Sequence, residues 1–305
     1  MCHTFHVIFA TIDNKYILLG LLHIFPGISM LSLLSFLSIA HAYIDEACRE
    51  VAAQGTPEGY SDQGQQDYLL NYFALATTFS AVHAPIPAAP GTGMLGLEIA
   101  VIPPLGCERR LVLNYTKTED TNKVPALPRP RVSFVFPSIN LGGTQLSIYG
   151  SLGYVPPLEI LQTQNVIVSA EAGVGIGNPE KGLQYGLRYH ATLMKSIAEI
   201  ATPFQEDGDT LLDFYMGSTF GADIMIGYKS SHYTPYLSVG FTDVSTFFYI
   251  DDDGLVVNNG APYAGLTTAL GVQAELRKNL NATAEFYAVP NQIYTGRVGL
   301  NLLFK

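Results

Sequence analysis

The chain has 305 residues, with 26 acidic against 16 basic side chains and a formal net charge of -10. That balance argues against a nucleic-acid footprint, which needs clustered cations to neutralise phosphates. Only 14% of residues are charged, while 29 Gly, 18 Tyr and 16 Phe favour β-rich structure over disorder.

Lys15 precedes a long apolar run that ends in Ala40-His41-Ala42, the small-residue pattern a signal peptidase accepts. Residues 1–42 therefore predict a signal peptide and an exported product. Export leaves Cys48 and Cys107, and two thiols in an oxidising compartment form a candidate disulfide. Residues 43–67 are polar and rich in Gly and Gln after a short possible helix; they predict a periplasmic segment, or one that tucks into a lumen.

Strand candidates begin at 69–80, a stretch apolar on both faces that equally suits a short helix. A Pro-rich loop, HAPIPAAPGT, leads to 93–102, which alternates well. The 110–116 stretch is a short candidate, and KTEDTNKVPALPRP reads as a Pro-punctuated loop. Residues 131–139 and 144–155 flank the hairpin signal Asn140-Leu141-Gly142-Gly143. Further hairpins join 166–176 to 182–194, 214–228 to 233–242, and 263–276 to 282–289. The last strand is 293–304. In 182–194, Leu183, Tyr185, Leu187, Tyr189 and Leu193 alternate with Gln184, Arg188, His190 and Thr192, a period of two over a length that crosses a bilayer.

Short turns alternate with long connections at 156–164, 195–212 and 243–262, an asymmetry expected of outer-membrane barrels. The fold class is therefore all-β: a transmembrane antiparallel up-and-down β-barrel over 68–305, with about twelve strands and ten as the alternative. Twelve places Cys107 on the periplasmic side with Cys48, whereas ten places it in an extracellular loop and would separate the pair. The sequence reading favours twelve.

The final strand, with Tyr294, Val298, Leu300, Leu302 and Phe304 on one face, resembles the C-terminal targeting strand of Gram-negative outer-membrane barrels, although Lys305 follows Phe304. That resemblance implies outer-membrane lipid and the barrel-assembly machinery as partners. The architecture also resembles channel-like barrels of the hydrocarbon-uptake type.

With lipid outside, the lumen face holds Glu98, Glu171, Arg188, His190, Asp223, Gln273, Glu275, Glu285, Arg297 and Asn301. These residues either tune selectivity or form a structural ion-pair network. The acidic excess predicts cation preference in an open pore. Phe247, Phe248 and Tyr249 are loop gate candidates at the mouth, or a continuation of the strand above the bilayer. His190 beside Arg188 invites an esterase reading, but no nucleophile motif accompanies it. Asp251-Asp252-Asp253-Gly254 lacks regular ligand spacing, so no metal and no cofactor is expected. The expected function is a passive channel or uptake protein for small solutes. A filled, surface-displaying barrel is the alternative, and a lipid-acting esterase is third.

Overall fold

The computed structural model describes residues 46–54, 61–78, 80–112, 117–119, 126–142, 144–160, 163–178, 180–198, 201–203, 213–250 and 255–305. All lie within one compact unit, 42–305. The leader, residues 113–116, the 251–254 acidic tip and residues 204–212 fall outside the described residues.

Helices α1 (Glu46–Ala53) and α2 (Asp62–Ala76) precede the first wall strand, β1 (Thr92–Val101). A short helix α3 (Cys107–Arg110) and two loop strands, β2 (Leu111–Val112) and β3 (Lys117–Glu119), follow. Next come β4 (Ala126–Val135), β5 (Ile139–Leu141), β6 (Thr144–Ile160), β7 (Thr163–Gly177) and β8 (Gly182–Ala198). The chain ends with β9 (Ala201–Pro203), β10 (Asp213–Lys229), β11 (Tyr233–Ile250), β12 (Leu255–Asn258), β13 (Ala264–Arg277), β14 (Leu280–Val289) and β15 (Ile293–Phe304).

Wall strands pair antiparallel with their sequence neighbours, β1 pairs with β15, and β10 pairs with β11 to close the ring. β5 and β12 pair only with β6 and β11, so ten strands form the barrel. With β5 and β12 the sheet has twelve strands, ten of them closing the ring, within the ten to twelve expected. Of the weak strand candidates, residues 69–76 belong to helix α2, and 111–112 enter a small separate sheet with β3 and β9 in the loops.

Closure satisfies the backbone by cross-strand pairing, the condition for an open-faced sheet to sit in hydrocarbon. Along β10, from Asp213 to Lys229, every second side chain is buried and those between are half-buried or exposed. The outward set is apolar: Leu95, Leu152, Leu187, Phe220, Ile224, Phe241, Leu270, Phe286 and Val298 are all exposed. The inward set includes Glu98, Arg129, Arg131, Glu171, Arg188, Asp223, Glu285 and Arg297, all buried. No soluble protein gains from this inversion. The molecule is an outer-membrane β-barrel, with charge inside and an apolar belt outside.

The turns at 178–181, 230–232 and 278–279 share one end with the start of β1 and the end of β15. By the convention of such barrels that end is periplasmic, and the opposite, loop-bearing end is extracellular. Wall height is uneven. β6, β8 and β10 have 17 residues and β11 has 18, against 10 in β1 and β14. Since about 9–11 residues cross a bilayer, the taller strands rise beyond the membrane. The expected 156–164 connection is mostly strand: β6 carries Pro156-Pro157 as a register shift between Val155 and Leu158, where the missing N–H groups are tolerated. Likewise 243–250 continues β11.

Aromatic side chains lie across inward glycines. A Cβ at Gly271 would strike the ring of Tyr236, whose hydroxyl donates to Glu285 at 2.8 Å. Gly271→Ala is therefore expected to lower the unfolding free energy by about 1–3 kcal/mol through overpacking. Urea titration followed by heat-modifiable gel mobility checks this.

Candidate functional site: a plugged lumen

The lumen is filled by the chain's own N-terminal segment. Helix α2 starts at Ser61, whose side chain accepts from the Gly64 N–H, and it occupies the extracellular half. Its amides meet loop backbone: Gln65 Nε2 donates to Glu108 O at 2.8 Å and Asn71 Nδ2 to Ala261 O at 2.9 Å. Asp67 Oδ1 and Asn71 Oδ1 accept from the N–H groups of Gly260 and Tyr263 at 2.7 and 2.9 Å. The Tyr72 hydroxyl donates to Pro103 O. Leu69 and Leu70 pack on Leu127, Val155, Ile167, Met194, Tyr215, Phe248 and Val257 of the wall. The lumen is thus apolar in its outer half.

Below α2, residues 77–91 run down the lumen as an extended strap, with residue 79 outside the described set. The charged wall residues grip its backbone. Arg129 Nη1 donates to Thr78 O at 3.0 Å, and Arg188 Nη1 donates to Ala81 O at 2.6 Å. Ala81 N–H donates to Glu171 Oε2 at 2.7 Å, Val82 N–H to Glu98 Oε1 at 2.9 Å and Ala84 N–H to Gln273 Oε1 at 3.0 Å. Gln273 Nε2 returns a bond to Pro87 O at 3.0 Å, and Arg297 Nη1 donates to Ser80 Oγ at 2.9 Å. Both ring nitrogens of His83 face acceptors, Glu171 Oε1 at 2.7 Å and Ala84 O at 2.6 Å. A strap makes no helix or sheet ladder, so side chains must satisfy its amides. These charges do that.

The wall residues also pair with one another. Arg188 Nε lies 2.8 Å from Asp223, His190 Nε2 3.4 Å from the same carboxylate, Arg131 Nε 3.3 Å from Glu98 and Arg297 Nη1 3.5 Å from Glu285. Four carboxylates (Glu98, Glu171, Asp223, Glu285) therefore face four guanidinium groups (Arg129, Arg131, Arg188, Arg297) in this belt. The acidic excess expected from sequence disappears, because Arg129 and Arg131 point inward from β4.

Glu275 stands apart from the belt, half-exposed at the periplasmic mouth and bonded to Lys229. Of the gate candidates, Phe248 is buried against the α2 cluster, Phe247 faces outward and Tyr249 is intermediate. They do not form one gate. His190 is 1% exposed, with Gly221 packed against its ring. Ser196 lies six residues further along β8, roughly 20 Å away. The two cannot act on one substrate.

Cys48 and Cys107 form a disulfide, with Cα atoms 4.9 Å apart. Ten strands do place Cys107 among the extracellular loops, but Cys48 lies there too rather than in the periplasm. The strap instead carries the chain from the periplasmic start of β1 up through the lumen, so α1 meets α3 among the extracellular loops.

The strap's lower end rests on three inward glycines. A Cβ at Gly175 would lie 2.5 Å from Pro85 O, one at Gly186 3.2 Å from Pro85 Cβ and one at Gly227 2.9 Å from Pro85 Cδ. Gly175→Val is expected to unseat Pro85 without touching the charged belt. Faster thiol labelling of an Ala84→Cys probe in that background would show it.

No family model matches the chain, and no curated protein matches its sequence. Similar solved structures include the transport unit of the autotransporter AIDA-I from Escherichia coli, at 11% identity over 81% of this chain and 99% of that one, with a TM-score of 0.41. The translocator domain of autotransporter NalP from Neisseria meningitidis is similar at 12% identity, covering 71% and 89%, with a TM-score of 0.37. The Pseudomonas putida toluene transporter TodX is similar at 11% identity, covering 82% and 77%, with a TM-score of 0.30.

Proposed function

We propose that this protein is an outer-membrane channel for small solutes held closed at rest by its own N-terminal segment. The observation that carries the reading is the strap, whose backbone is bonded at mid-lumen by charged side chains from four wall strands, Glu98, Arg129, Glu171 and Arg188. Buried ion pairs are poor stabilisers compared with apolar packing of the same volume. A barrel needing only rigidity would do better with a greasy core throughout. Polar groups that hold a removable segment leave a hydrated passage when it moves. That passage is charge-balanced, so it discriminates weakly between cations and anions.

Planar-bilayer recording tests this directly. Wild-type protein is expected to be silent, and a chain lacking residues 43–91 is expected to conduct with a cation-to-anion permeability ratio near unity. Heat-modifiable mobility reports that the shortened chain still forms its barrel. A folded but silent shortened barrel would rule out the channel reading. It would leave the display reading, which the disulfide-anchored packing of α2 at the extracellular mouth favours.

A further inference from the structure

We propose that the periplasmic mouth contains a binding site for a small hydroxylated anion, independent of whether the plug moves. A cavity of about 220 Å³ remains there between strap residues 86–89 and the wall. At roughly 30 Å³ per water, it holds about seven waters or one six-carbon acid.

Its lining is basic in a chain whose formal net charge is -10. Lys229, Arg277 and Lys278 stand against the single carboxylate of Glu275, giving 3 − 1 = +2. Lys229 is 9% exposed and bonded to Glu275, so that pair is already neutralised. Arg277 and Lys278 have no carboxylate partner among the described residues. An Arg fork beside a Lys suits a carboxylate or phosphodiester.

The deeper wall is uncharged and polar. Gln184, Thr234 and Asn281 line it at 2%, 2% and 5% exposure, and Gln184 Oε1 has no hydrogen-bond partner. Buried polar atoms are normally satisfied, and the Gln184 amide oxygen has no protein donor among the described residues. Hydroxyl groups supply both donors and acceptors to such a set. The matching ligand carries one anionic group toward Arg277 and Lys278 and hydroxyls toward Gln184, Thr234 and Asn281. A polyhydroxy carboxylate has that chemistry, and so does the glycerol-phosphate headgroup of an anionic lipid. Because strap residues 86–89 form one side of the cavity, either occupant would touch the plug.

The test uses full-length protein in phosphatidylcholine nanodiscs, titrated calorimetrically with gluconate and with the neutral polyol glucitol. Gluconate is expected to bind saturably and at least about tenfold more tightly than glucitol. In Arg277→Gln/Lys278→Gln its affinity should fall about tenfold or more, with heat-modifiable mobility unchanged. Native mass spectrometry from phosphatidylglycerol nanodiscs distinguishes the source. A retained lipid adduct that the double variant loses, with no gluconate binding, assigns the site to the headgroup. Binding of neither anion, equal binding of gluconate and glucitol, or anion binding untouched by the double variant would overturn the proposal.

Discussion

Glu171→Ala is expected to turn the silent wild-type barrel into one that opens in brief events, raising open probability roughly 100-fold. Glu171 is the acceptor for the Ala81 N–H at 2.7 Å and for His83 Nε2 at 2.7 Å. Truncation leaves both donors buried and unmatched, and each unsatisfied group costs about 1–3 kcal/mol. A net bias near 3 kcal/mol against the docked strap corresponds to about two decades in population. Glu171→Gln keeps one acceptor oxygen and is expected to fall between wild type and alanine. The same order should appear in thiol labelling of an Ala81→Cys probe from the periplasmic side. A silent Glu171→Ala barrel, beside a conducting chain without residues 43–91, would mean the strap is held mainly elsewhere. Glu98 and Gln273 would then be the groups to remove.

The wall was legible in the sequence because a membrane barrel writes a period of two wherever lipid and lumen alternate. Residues 182–194 show it plainly: Tyr185, Leu187 and Tyr189 are exposed, while Gln184, Arg188 and His190 are buried. Two features were not legible, and a third, helix α2, was legible only as the alternative to a strand at 69–80. Helix α2 buries Gln65, Asp67, Leu69, Asn71, Tyr72 and Leu75 all around its axis, so no amphipathic period marks it as a helix. The strap pairs with side chains from many strands and has no period at all, and HAPIPAAPGT therefore reads as an ordinary loop. β4 was started too late because Pro128 and Pro130 look like strand breakers. They are tolerated since 126–130 pair only with β1, while β6 joins β4 from Arg131 onward. That late start hid Arg129 and left Arg131 as the strand's first residue, uncounted among the lumen charges, so the charge balance of the lumen was missed.

Removing the Cys48–Cys107 bond is expected to have the second large effect, and to act only in combination for conduction. The plug is continuous with β1 at Thr92 at the periplasmic end and bonded to Cys107 at the extracellular end. A segment fixed at both ends slackens but does not leave. Glu171→Ala with the disulfide intact is therefore expected to show sub-conductance openings only. Cys48→Ser/Cys107→Ser alone should stay mostly closed, because α2 keeps its packing on Phe248, Tyr215 and Met194 and its bonds to the loops. The triple variant should reach the full conductance of the chain lacking residues 43–91. For stability, opening a cross-link with a sequence separation of 59 releases unfolded-chain entropy worth roughly 4 kcal/mol. The serine pair is thus expected to unfold at clearly lower urea than wild type, even while silent. Full-size openings from Glu171→Ala in the oxidised protein would show that the plug clears the lumen without releasing its extracellular end, and the disulfide would then be a brace for the loops rather than a lock on the passage.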